Sequence, residues 1–307
     1  MLGFALRRLF GVIPTFLLIV AAAFFIMRVA PGGPFDDERT LPPEIEANLQ
    51  AAYGLDQPLP VQFARYLGGL VRGDLGPSYR MKDFTVAELI GRGLPVTLSI
   101  GTAALALALL LGIPLGLAAG LRQNGWADHA VMSVALAGIA IPNFVVAPVL
   151  ALLFGLQLGW LPVAGWEPGS LRHMVLPVIT LALPLVAYLA RLTRGSLLEV
   201  LQSPFIRTAR AKGLAPGVIL RRHALKPTLL PVVSFLGPAA AGLLTGSLVV
   251  EQVFGLPGVG RYFVQGAINR DYTLVMGMVV FYAALILLLN LVVDLAYGWL
   301  DPRIRHD

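Results

Sequence analysis

Residues 207–231 read RTARAKGLAPGVILRRHALKPTLLP. Arg207, Arg210, Lys212, Arg221, Arg222 and Lys226 fall here, with His223 and without a single acid. Apolar blocks at about 173–193 and 227–250 flank the cations, and each is long enough to cross a bilayer, which takes about 20 mostly apolar residues. A cationic segment between two such blocks reads as a loop joining transmembrane helices.

Working outward, four further apolar blocks appear at about 9–30, 94–121, 128–157 and 274–299. Mean hydropathy is +0.78 and 13% of residues are charged, where soluble domains carry about a quarter. The fold class is therefore all-α, a polytopic membrane protein with six transmembrane helices forming a single domain over 1–307. The net charge of +6 fits cationic loops on one membrane face better than nucleic-acid binding. There is no cysteine, hence no disulfide and no thiolate metal site. The N-terminal apolar run is too long for a signal peptide and lacks a small-residue cleavage site, so it reads as a retained span.

Arg7 and Arg8 before the first span place the N-terminus in the cytoplasm. Six spans return Arg303 and Arg305 to the same side, so both termini are expected there. Segments 1–8, 122–127, 194–226 and 300–307 are then inside, and 31–93, 158–172 and 251–273 outside. Residues 191–226 hold eight lysines and arginines against Glu199 alone, whereas 31–93 holds six against nine acids. The outer segment 31–93 reads as helical in two places. Pro43 and Gly54 suit the start and end of one helix. Leu59, Phe63, Tyr66, Leu67 and Leu70 share a face of another. Such helices lie in the interface, pack over the bundle, or form a solvated amphipathic loop.

No catalytic or metal-binding pattern is found. The chain has no phosphate-binding G-x-x-x-x-G-K-[ST], no H-E-x-x-H and no G-x-S-x-G, and His129, His173, His223 and His306 have no ligand spacing. The central parts of the spans lack ionisable groups of the kind that relay protons, and Arg28 and Asp294 lie near span ends. Uphill transport would thus draw its energy from another subunit. Pro142, Asn143 and Pro148 fall inside the third block, where proline bends a helix and frees carbonyls. Asn143 and Asn290 either line a translocation path, together with Pro142, or hydrogen-bond between helices. The glycines of GTAALALALLLGIPLGLAAG (101–120) favour close helix packing.

Within the opening stretch, RTARAKGL is expected to be a short helix ending at Gly213, with Pro216 starting a second. The resulting cationic projection docks into a soluble partner or binds anionic lipid. This segment resembles the cytoplasmic coupling loop (194–226) of ABC importer permeases of the dipeptide/oligopeptide transporter family. The superfamily signature, Glu-Ala-Ala, three residues, then Gly, aligns with Arg207, Thr208, Ala209 and Gly213; the glutamate is absent. YGLDQPLPVQFARYL, GDLGPSY, EQVFGLPGVGRYFVQGAINRDYTLVMG and NLVVDLAYGWLDPRIR also resemble that family, in the same order. Two positions depart from it: Gly33, where an aspartate is frequent, and QSPF before the short helix, where an acidic-aromatic pair is common.

The resemblance implies a type I ABC importer permease fold and a B-type subunit in the bacterial or archaeal inner membrane. It pairs with a C-type permease chain, two ABC ATPases and an extracytoplasmic solute-binding protein that delivers di- or oligopeptides. ATP and Mg belong to the ATPases, and this chain carries no cofactor. Arg207, Thr208, Ala209, Arg210, Ala211, Lys212, Gly213 and Leu214 would couple to the ATPases. Related permeases carry nickel complexes, glutathione or sugars. A stand-alone secondary carrier is the rival class, disfavoured by the missing ionisable relay.

Overall fold

The computed structural model describes residues 2–29, 54–81 and 83–300. The helix expected between Pro43 and Gly54 lies outside these. Among the described residues the regular structure is helical: α1 Leu2–Val29, α2 Leu59–Val71, α3 Val86–Leu121, α4 Trp126–Ala140, α5 Asn143–Leu150, α6 Leu171–Leu201, α7 Pro204–Ala211, α8 Pro216–Ile219, α9 Leu225–Leu244, α10 Leu248–Val253, α11 Val259–Ile268 and α12 Tyr272–Leu300. A π-helical turn at Ala151–Gln157 extends α5, and another at Leu220–Ala224 joins α8 to α9.

Among the described residues, five helical runs are long and apolar enough to cross a membrane: Phe10–Val29, Val86–Leu121, Leu171–Leu201, Pro216–Val253 and Tyr272–Val293. A sixth arises if α4 and the α5 run are one span, but the two are bent by 101°. The third block is thus broken into two helices, with a bend sharper than that expected from proline. Pro142 has no N–H and disfavours helical geometry at its predecessor. Ile141 accordingly lies extended (φ −86°, ψ 116°), its N–H still bonded to Ala137 O. The Pro142 carbonyl then restarts the ladder by accepting from Val145 and Val146 N–H. Several helices outrun their apolar blocks: α3 begins at Val86 and α6 continues to Leu201. Bilayer thickness sets the apolar length, whereas a helix runs on until a stop signal.

Two compact units divide the chain. One comprises Thr97–Leu256 with the chain from Leu288 onward. Here α3 lies directly on α6. A Cβ on Gly112 would come 2.8 Å from Leu189 Cβ, on Gly116 2.4 Å from Ala190 O, and on Gly120 2.9 Å from Leu197 Cδ2. Lipid tails compete for apolar surface, so helix association in a membrane rests on close van der Waals packing, which small residues permit. The ladder at every fourth position is that device. Further along, Gly101 meets Leu243 O of α9 in the same way, and Tyr188 of α6 stacks on Phe235 of α9. The half-helix α5 packs against α6 and α10.

The other unit comprises Leu2–Val96 with Pro257–Leu287. Val20 and Phe24 of α1 meet Met276 and Val280 of α12, and Phe63, Tyr66, Leu67 and Leu70 of α2 cover them. The apolar face of α2 is therefore packed on protein; it is not a solvated loop. A second cluster joins Val86, Leu89 and Ile90 to Val259, Leu274 and Met278. The loop before α3 is pinned to the start of α12: the Ser78 hydroxyl donates to buried Asp271, whose other oxygen caps Leu274 N–H, and Arg80 donates to Asn269 O.

Candidate functional site: the cationic short helix

The candidate site is α7 with its exit, inside the first unit. Pro204 opens the helix at a position where a missing N–H costs nothing. Ile206 and Ala209, three apart, point to one side and are buried against Leu197 of α6 with Ile219 and Ala224. Arg207, Thr208, Arg210, Ala211 and Lys212 are exposed. The helix is thus bolted down by one edge while its cations face outward. Arg207 reaches back to donate to Gln202 O at 3.2 Å, and the Thr208 hydroxyl donates to Pro204 O.

The helix end is a Schellman motif. Gly213 N–H donates to Arg210 O (2.9 Å) and Leu214 N–H to Ala209 O (3.3 Å), which satisfies carbonyls that a terminus otherwise leaves free. Gly213 carries φ +75°, a conformation that strains any residue with a Cβ. Nothing lies within 4 Å of where that Cβ would be, so backbone conformation alone requires glycine. Pro216 then starts α8, whose run continues through the π-helical turn carrying exposed Arg221 and Arg222 to Lys226. Six cations consequently project from one short stretch.

Of the eight coupling residues expected from the sequence, seven are exposed and Ala209 is buried, so its side chain fixes the helix in place and presents nothing outward. Asn143 is half-buried as the first residue of α5, beside exposed Pro142 at the break, and Asn290 is half-buried on α12. They stand on different elements.

Sequence reasoning missed what anchors this site. Arg194, counted above among the loop cations, lies in α6 and is neutralised by Asp128, which is 1% exposed. Its Nε and Nη2 donate to the two carboxylate oxygens at 2.5 and 2.8 Å, and Asn124 N–H adds a third bond at 2.9 Å. A bidentate pair of this kind fixes angle as well as distance. It ties the start of α4 to α6 about two turns before α6 ends. Glu251 was counted only as the first residue of the outside segment 251–273; it is 3% exposed and accepts a bond from the Thr97 hydroxyl at 2.7 Å. Neither partner is near in sequence, so no local pattern announced either pair.

Comparison with known proteins places this geometry. The model of the binding-protein-dependent transport system inner membrane component matches residues 112–306, and that of the family's N-terminal region matches 1–101. The oligopeptide transport system permease protein OppB of Escherichia coli is 50% identical over 306 residues, all of both chains. The dipeptide transport system permease protein DppB of Bacillus subtilis is 43% identical, covering 99% of this chain and 98% of its own. Among solved structures, an inward-facing conformation of the MetNI methionine ABC transporter aligns with a TM-score of 0.56 at 19% identity, over 69% of this chain and 96% of that one, a likeness of fold. The chain belongs to the binding-protein-dependent transport system inner membrane component family and has the permease fold of type I ABC importers.

Proposed function

We propose that this chain is the B-type permease of an ATP-driven importer of di- or oligopeptides, and that α7 is the element through which partner ATPases move it. The observation that carries the coupling role is the build of α7: a rigidly capped helix, held by Ile206 and Ala209, with its cations outward. Such a helix transmits a push to α6 instead of bending. The peptide substrate is supported by the full-length likeness to the oligopeptide and dipeptide permeases.

In this reading two ATPases bind ATP and Mg and dock beneath α7, a C-type permease completes the pore, and a solute-binding protein delivers peptide from outside. The chain sits in the bacterial or archaeal inner membrane with both termini and 194–226 cytoplasmic and 31–93 outside. Closure of the ATPases drives two arrangements of the spans, the bistable element that coupling requires. The broken third span, with Pro142 and Asn143 at its corner, and Asn290 face the path. Translocation needs no chemistry from this chain.

Uptake of labelled short peptides by the reconstituted importer tests the assignment. Uptake that requires ATP and the binding protein is expected. A preference for a nickel complex, glutathione or a sugar would overturn the substrate class, and uptake driven by an ion gradient alone would overturn the importer. Sidedness is read from Ala211→Cys and Asn48→Cys in this cysteine-free chain: an impermeant thiol reagent on intact cells should modify only the cysteine at 48.

A further inference from the structure

The second unit contains a cleft of about 230 Å³ at the Val29 end of α1, between α1, α2 and the start of α12. Gln62 lines it and is 8% exposed. Its Nε2 donates to the Leu55 and Gln57 carbonyls at 3.0 and 2.7 Å. Two carbonyl acceptors fix which way the amide points, so Oε1 is the atom left without a partner. Oε1 is buried and has no hydrogen-bond partner, as are Tyr66 OH and Thr273 Oγ1, which line the same cleft. Burying a polar atom unpaired costs about 1–3 kcal/mol, and three such atoms on residues that line one small space point to a polar occupant. The carbonyl oxygen of an amide only accepts, so that occupant has to bring a donor.

The remaining lining supplies the other half of the ligand. Arg28 and Arg65 border the cleft against Asp74, a net positive rim, and Phe24 forms an apolar wall. Burial pushes the Tyr66 phenol up to about 12, so it keeps its proton in the physiological range. The location is equally specific. The cleft opens where a bilayer-length helix ends, and α1 leads to it with Leu18, Ile26 and Val29 exposed. That is the level at which lipid headgroups lie.

We propose that this cleft binds the headgroup of a phospholipid whose distal group carries N–H donors, of the phosphoethanolamine kind. The phosphate meets the Arg28 and Arg65 rim, the ammonium donates to Gln62 Oε1 with Tyr66 and Thr273 hydroxyls nearby, and the acyl chains run along α1. The site does not depend on the peptide assignment, and its readout is lipid retention, so the two stand or fall separately.

The test is native mass spectrometry of the assembled importer released from nanodiscs of equal phosphatidylethanolamine and phosphatidylcholine. The trimethylated headgroup keeps the phosphate and removes every N–H. Retention of phosphatidylethanolamine about tenfold over phosphatidylcholine is expected, from loss of one charge-assisted bond. Gln62→Leu should abolish that preference. Because it also frees the Leu55 and Gln57 carbonyls, Tyr66→Phe and Thr273→Val serve as gentler variants that keep the packing and should each lower the preference severalfold. Equal retention of both lipids, unchanged preference in all three variants, or a site holding water only would overturn the proposal. Displacement by soluble phosphoethanolamine would assign the cleft to a free solute and overturn its reading as a lipid site.

Discussion

Gly116 and Gly213 are required for opposite reasons. On α3, Gly116 has ordinary helical geometry and no space: a Cβ would sit 2.4 Å from a carbonyl oxygen of α6. At the end of α7, Gly213 has open space and a left-handed backbone. The seam between α3 and α6 is therefore a matter of interhelical distance, and the short helix a matter of chain direction. Damage to the seam should prevent the protein from assembling. Damage to the cap should leave it assembled and disconnected. The comparison can be broken at four points.

The largest effect is expected from Gly116→Leu. Its clash is with backbone, which cannot rotate away, and overpacking of this kind costs about 3 kcal/mol or more. Detergent extraction followed by size-exclusion chromatography should recover little assembled complex. Recovery at wild-type levels would mean that the α3–α6 seam is loose.

Asp128→Ala comes next. It leaves the Arg194 charge half-buried without its partner, and breaking a buried pair costs about 3–5 kcal/mol. Arg194 keeps some solvent access, so the lower end is expected. The thermal midpoint of the purified complex should drop by several degrees, and adding Arg194→Leu should restore much of it. If the double variant is worse than the single, the pair is not the main contact there.

Gly213→Val should cost about 1–2 kcal/mol locally, the price of a left-handed β-branched residue. Insertion should be normal and transport largely lost. Gly213→Asn should keep most transport, because asparagine tolerates that conformation. Equal behaviour of the two variants would remove backbone conformation as the cause. The smallest effect belongs to Asn143→Leu at the break in the third apolar block. Assembly should be unchanged and peptide uptake reduced severalfold, read as initial rates; unchanged rates would make Asn143 a packing residue.

The legible parts of this molecule were those governed by local rules. Apolar length announced the membrane helices, and glycine followed closely by proline announced the end of α7 and the start of α8. Prolines were ambiguous. Pro177, Pro184, Pro231 and Pro238 sit within continuous helices, whereas Pro142 breaks one. The difference is whether the preceding residue turns extended, as Ile141 does, and tertiary packing decides that. Charge counting also failed where it met a distant partner. Arg194 reads as a loop cation until Asp128, 66 residues earlier, is placed beside it. The unpaired amide oxygen of Gln62 had no sequence signal at all, since it depends on where two carbonyls point.

The most direct test of the central claim, that α7 couples the permease to ATPases and is not a lipid anchor, is ATP hydrolysis by the assembled importer carrying Arg210→Glu. Arg210 is exposed beside the buried edge of α7, so charge reversal there replaces neither Ile206 nor Ala209. The measurement is stimulation of hydrolysis by peptide-loaded binding protein, in nanodiscs of purely zwitterionic lipid and again with anionic lipid added. The account predicts that stimulation is lost, or the ATPases detach, to the same extent in both. Full stimulation in zwitterionic lipid, with a defect only where anionic lipid is present, would contradict it.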